Sequence, residues 1–166
     1  MIYADHAATT KISETAKLAM LSAMEKDWYN PSSLYTPGQQ ASGTLMDARV
    51  RIAHCLGCLP KEIYFTSGGS EADNQAILSA AAIGKRQGKM HIISTAFEHH
   101  AVLHTLKKLE KEGFEITLLD VGEKGIVSPV QVEKAIRPDT ILVTVMYANN
   151  EIGTIQPIRE IGAICR

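Results

Sequence analysis

The sequence predicts an α/β chain, a mainly parallel sheet with flanking helices in three layers. Three observations carry that expectation. Segments with strand and helix patterns alternate along the chain, the order that a parallel sheet with helical crossovers requires. Ile141-Leu142-Val143-Thr144-Val145-Met146 is a near-continuous apolar run, as in a strand buried on both faces. Glycines and small polar residues gather just after the predicted strands, at the sheet edge where ligands bind in such folds.

Taken in order, the elements follow from their punctuation. Ser13 is placed to cap a helix running to about Lys26, with Ala16, Leu18, Ala19 and Met20 among its inward candidates. The stretch Trp28 to Gly38 is a loop, marked by Asn30-Pro31-Ser32-Ser33 and Thr36-Pro37-Gly38. A long amphipathic helix is expected from Gln39 to about Leu56, then a short strand over Glu62-Ile63-Tyr64-Phe65-Thr66. A helix from about Glu71 to Gln87, a strand from Met90 to Ser94, a helix from His99 to Glu112 and a strand from Glu115 to Val121 follow. Val130 to Ile136 is a short helix between Pro129 and Pro138, the apolar run gives the fourth strand, and a last helix starts near Pro157. That helix reaches Ile164-Cys165-Arg166 with no capping glycine or trailing proline, so the chain reads as cut rather than finished.

Composition excludes several functions. Seventeen Lys and Arg stand against 18 Asp and Glu, for a net charge of −1 over 166 residues. A nucleic acid or an anionic membrane as partner would call for a basic surplus, so neither is expected. No apolar run approaches the roughly 18 residues needed to span a bilayer. Asp5, Lys11, Glu14 and Lys17 leave no room for the apolar core of a secretory signal. Length and the absence of a linker point to a single domain over residues 1–166.

Three cysteines suit a cytosolic chain better than a disulfide framework. Cys55 and Cys58 form a C-x-x-C, but Cys165 alone cannot complete a zinc site. A redox motif should open a helix, whereas Cys55-Leu56-Gly57-Cys58-Leu59-Pro60 closes one. The cysteines are therefore read as small hydrophobes, and no metal is expected.

Four segments hold the candidate chemistry. Phe65-Thr66-Ser67-Gly68-Gly69-Ser70-Glu71-Ala72-Asp73-Asn74 runs through two glycines into a helix, a place where backbone N–H groups face an anion such as phosphate. The structural alternative is a capping box of Ser70 with Asp73, and a cap and an anion site can coexist. The segment is neither a Walker A loop nor G-x-G-x-x-G, and no acidic ribose partner follows for a dinucleotide fold. Thr95 to Val102 places His99 and His100 at a strand exit, where an imidazole offers a flat face or a proton. Adjacent helical residues point apart, so a metal held by those two neighbours is not expected. Met146 to Gly153 carries Asn149 and Asn150, which either orient a ligand or form an Asx turn. Ile2 to Thr10 is small and polar and has no reading by itself.

Together these segments resemble the cysteine desulfurases, the pyridoxal-phosphate (PLP) enzymes of the class V aminotransferase group that supply sulfur for iron–sulfur clusters. Asp5-His6-Ala7-Ala8-Thr9-Thr10, Asn30-Pro31-Ser32-Ser33 with Gly38, Phe65 to Asn74, Glu98-His99-His100-Ala101-Val102-Leu103 and Asn149-Asn150-Glu151-Ile152-Gly153 are similar to five family motifs in order. His6 stands where the family more often has Asn, and Tyr35 where His is usual. The resemblance implies an N-terminal arm (1–38) followed by a partial PLP-binding large domain (39–166), the N-terminal part of the large domain of a fold type I PLP enzyme.

The resemblance also implies roles. Gly69 and Ser70 match the pair that holds the cofactor phosphate, and Ser70 keeps the hydroxyl where Thr is common. His99 matches the histidine that stacks on the pyridine ring and moves protons, a catalytic residue. Asn150 matches the amide beside the phenolic oxygen and the substrate L-cysteine, and His100 receives no role. The family forms a persulfide and alanine, and acts as a homo-oligomer that passes sulfur to an acceptor scaffold protein. Its aspartate facing the ring nitrogen, its Schiff-base lysine and its persulfide cysteine have no match among these residues. The expectation is a chain that binds PLP weakly or not at all and is inactive alone. A selenocysteine lyase, another class V enzyme or a non-catalytic partner subunit is the alternative.

Overall fold

A computed structural model describes residues 2–166, which fall into two compact units, the first ending at Phe65 and the second running Thr66–Arg166.

The first unit is built on two helices, α1 (Glu14–Lys26) and α2 (Thr36–Leu56). The Ser13 hydroxyl accepts from the Ala16 N–H at 3.2 Å, as the sequence leads one to expect of an N-cap. Helix α2 begins three residues before Gln39 because Pro37 sits in its first turn, where a missing N–H leaves nothing unpaired. Gly57 closes it with φ 68°, the left-handed cap that a Cβ disfavours. The Asp27 carboxylate at the end of α1 accepts from Gln40 Nε2 at 3.0 Å and from Thr44 Oγ1 at 3.1 Å. Gly38 has a packing reason: a Cβ there would lie 2.7 Å from Ser33 Cβ and 2.8 Å from the Asn30 carbonyl. The strand expected over Glu62–Thr66 does not form. Pro60–Glu62 makes a 3-10 turn, and residues 63–66 have no strand beside them. The Ile63 carbonyl accepts from the Arg49 guanidinium, which also lies 4.9 Å over the Phe65 ring. Ile63 has extended backbone (φ −90°, ψ 126°) but no neighbouring strand pairs it, and the Arg49 contacts from α2 hold the segment instead.

The second unit runs α3 (Gly69–Arg86), β1 (His91–Thr95), α4 (His100–Lys111), β2 (Glu115–Leu119), α5 (Pro129–Ala135), β3 (Thr140–Val143) and α6 (Ile158–Ile164). Its three strands are parallel in the order β2-β1-β3. Every residue of β1 is buried. Only the first three residues of the apolar run, Ile141 to Val143, lie in β3, and they are half-buried, because β3 is an edge strand of the three. The fully buried strand is therefore the central one.

Ile92 and Ile93 point to opposite faces, as pleating demands. Ile92 packs with Ile77 and Ala81 of α3 and with Val102, Leu106 and Leu109 of α4. Ile93 packs with Leu119, Val127, Val132 of α5 and Ile161 of α6. Both isoleucines are fully buried, each stabilising the fold by about 1.5–3 kcal/mol. These two clusters are the faces of the expected three-layer arrangement.

At the start of the strands, His91 is fully buried between two threonines. Its Nδ1 lies 2.7 Å from Thr140 Oγ1 on β3 and its Nε2 lies 2.8 Å from Thr117 Oγ1 on β2. Burial holds its pKa below the ordinary histidine value. Just after His91 the β1–β3 register slips by one residue at Ile141. No described helix is long and apolar enough to cross a membrane.

Candidate active site

The site is built where α3 and α4 begin. Gly68 precedes α3 in extended backbone, and Gly69 and Ser70 are its first two residues. The N–H groups of this turn have no partners within the helix. A Cβ at Gly68 or Gly69 would meet nothing within 4 Å, so packing inside this chain does not require glycine at either place. Glu71 supplies the cap: one carboxylate oxygen accepts from both the Ser67 N–H and the Ser67 hydroxyl at 2.6 Å. Those bonds hold its pKa below the usual carboxylate range. The reach-back partner is thus Glu71, not Asp73. The Ser70 hydroxyl bonds to no other described residue.

His99 is the N-cap of α4, its Nδ1 accepting from the Ala101 N–H at 3.1 Å. That bond orients the ring and leaves Nε2 free. Ser70 and His99 line one open cavity of about 400 Å³, together with Asn74, His100, His104 and Lys108. Asn74 links the two helix starts and was not marked by the sequence. Its Nδ2 donates to the Ser70 carbonyl at 2.7 Å and to the Ala101 carbonyl at 3.4 Å, and its Oδ1 accepts from Thr105 Oγ1 at 2.5 Å. An asparagine inside a helix, where propensity disfavours it, is the signal that would have found it.

Two further residues order the loops around His99. Glu98 is buried, and its Oε1 accepts from Thr95 Oγ1 at 3.1 Å and from the Met146 N–H at 2.7 Å. Burial raises its pKa above the ordinary value. Asn149 is also buried. Its amide donates to the Phe97 carbonyl at 3.2 Å, while its Oδ1 accepts from the N–H groups of Glu151 and Ile152 at 2.9 and 3.0 Å. Of the two consecutive amides, Asn149 therefore makes the Asx turn. Asn150 is exposed, donates to Glu151 Oε1 at 3.0 Å, and does not line the cavity.

The three cysteines are free thiols. Partial burial pushes the Cys165 thiol up, opposite to what a thiolate nucleophile needs. Among the described residues no group of three or more His, Cys, Asp or Glu could enclose a metal ion.

The family model for aminotransferase class-V matches residues 2–166. A cysteine desulfurase IscS of Methanosarcina thermophila is 50% identical over 165 residues, covering 99% of this chain and 41% of its own. One from Clostridium botulinum (strain Hall) is 48% identical with the same coverage. Among solved structures, a NifS-like protein matches with a TM-score of 0.92 at 36% identity, over 96% of this chain and 44% of the other. The structure of SspA in complex with cysteine matches with a TM-score of 0.91 at 38% identity, over 98% and 47%. The chain spans about two fifths of the length of these curated relatives.

Proposed function

Because this chain belongs to the class-V aminotransferase family, we propose that it forms the N-terminal part of a cysteine desulfurase and supplies that enzyme's cofactor cradle. The observation that carries this reading is the shared cavity: Ser70 at the start of α3 and His99 at the start of α4 face one space of about 400 Å³.

The residues present fit a phosphorylated pyridine. Glycines that packing does not require leave the first-turn N–H groups of α3 open to a close anion. The helix-end field contributes about 0.3–1 kcal/mol to an anion there, and the unpaired Ser70 hydroxyl adds a charge-assisted bond. The His99 ring, held through Nδ1, presents a flat face for stacking and keeps Nε2 for a proton. Asn150 is the amide for the cofactor's phenolic oxygen and for L-cysteine, and must exchange its bond to Glu151 to serve there. When bound, PLP supplies an electron sink for breaking the bond to sulfur. The residues that would anchor it covalently, protonate its ring and accept sulfur match no position in this chain. Residues 2–166 alone therefore bind PLP weakly and non-covalently and release no sulfide.

The assembly is a homo-oligomer in this reading, supported by apolar residues of α1 and α2 (Leu18, Met24, Val50, Leu56) that stay exposed. A cytosolic setting, a sulfur-acceptor partner and use in iron–sulfur assembly follow from the same reading. The test is a titration of the chain with PLP and with inorganic phosphate. Ser70→Ala should weaken both by about 1–3 kcal/mol, and His99→Ala should weaken PLP more than phosphate. Equal binding by all three proteins sinks the proposal, and an imine absorption band with PLP would contradict the non-covalent part of it.

A further inference from the structure

Helix α4 carries an imidazole pair for which the cofactor reading has no use. His100 and His104 are four residues apart, hence on one face of the helix one turn from each other. Both are exposed, and their rings lie 5.4 Å apart between centroids and within 25° of parallel. Neither makes a hydrogen bond to another described residue, so their ring nitrogens are uncommitted. His99 differs. Its Nδ1 is spent on the Ala101 N–H, and its ring lies 6.2 Å from that of His100, tilted by 54°.

Paired imidazoles at i and i+4 are the spacing by which a helix presents two nitrogens to one transition-metal ion. No carboxylate lines the cavity these rings share with Ser70. The two imidazole nitrogens suit zinc, nickel or copper, and with no carboxylate beside them the pair disfavours magnesium and calcium, which require oxygen ligands. We propose that His100 and His104 form a two-imidazole site for a divalent transition-metal ion on the wall of this cavity. Two protein ligands leave the ion's remaining positions to water or to a further ligand, as in an open rather than an enclosed site. The site needs no cofactor for its ligands, although its rings line the same cavity as Ser70 and His99.

The test is calorimetric titration of the 166-residue chain with Ni²⁺, with Cys55, Cys58 and Cys165 changed to Ser to remove competing thiols. One ion per chain is expected. His100→Ala and His104→Ala should each weaken it by about 10-fold or more, the scale on which even outer-shell changes weaken metal sites. His54→Ala on α2 should leave it unchanged. His104→Gln, with the helical circular dichroism unchanged, should give the same loss as His104→Ala and so separates ligand loss from unfolding. With Cu²⁺, the proton resonances of His100 and His104 should broaden first. Absence of saturable binding, parental affinity in either alanine variant, or broadening that starts at His6, His54 or His99 overturns the proposal.

Discussion

The Glu98 carboxylate and the Met146 N–H meet at 2.7 Å, tying the turn that carries His99 to the chain leaving β3. This bond joins two loops at the same end of the sheet, and it is made by a buried acid whose neighbour in sequence is the candidate stacking residue.

Glu98 stabilises through its bonds, while burial penalises its charge. Its folded pKa is raised, so its linkage contribution is full below the unfolded value of about 4.3 and is lost as pH rises through the folded value. Glu98→Gln can keep both accepted bonds without the charge. It should be at least as stable as the parent at neutral pH, and its advantage should shrink on acidification. Glu98→Ala leaves the Met146 N–H unpaired and should cost about 1–3 kcal/mol. Urea unfolding over a pH series decides this: a Gln variant as unstable as the Ala variant contradicts it.

His91 gives the opposite slope. Burial is the first cause of its lowered pKa and Arg137 the second, opposed by Asp139 and Glu115. A depressed folded value means that its contribution is intact above about 6.5 and is lost as pH falls from there through the folded value. In His91→Gln the loss of unfolding free energy below that pH should be smaller than in the parent. Parallel curves for the two proteins would show that the Thr117–His91–Thr140 brace does not titrate as argued.

Two helical glycines should respond with opposite signs to the same change. A Cβ at Gly84 of α3 would lie 2.6 Å from the Lys89 carbonyl and 2.9 Å from both Ile141 Cγ1 and Cγ2. Gly84→Ala should destabilise by about 1–3 kcal/mol, the range for overpacking. Gly43 of α2 faces open space, and Gly43→Ala should stabilise by about 0.5–1 kcal/mol through helix propensity. Thermal unfolding of the pair reads both signs, and a neutral Gly84→Ala would mean that β3 relaxes away from α3.

Self-association is expected at micromolar concentration. The half-buried edge strand β3 and the exposed apolar residues of α1 and α2 each invite pairing with a second chain. Multi-angle light scattering should give a dimer or larger species. A stable monomer would show that neither surface suffices.

The sequence by itself determined the elements whose causes are local. Ser13, Gly57 and Pro129 mark helix ends because caps and fixed dihedrals act within one turn. The alternation of helices and strands determined the α/β class, and the segments at Gly69-Ser70 and at His99 stand out in the sequence because each is a contiguous run, although Ser70 and His99 lie 29 positions apart. Only the tertiary structure decided what depends on a distant partner. Residues 63–66 have a strand's composition but no ladder, while Ile141 to Val143 sit at an edge although their apolar run suggested the centre. Asn149 and Asn150 are neighbours of one type, yet one is buried in an Asx turn and the other exposed. Asn74 and Glu98 gained their positions from groups 27 to 48 residues away. Backbone pairing and burial are properties of the packed chain, so periodicity and propensity, which report only neighbours in sequence, carry no record of them.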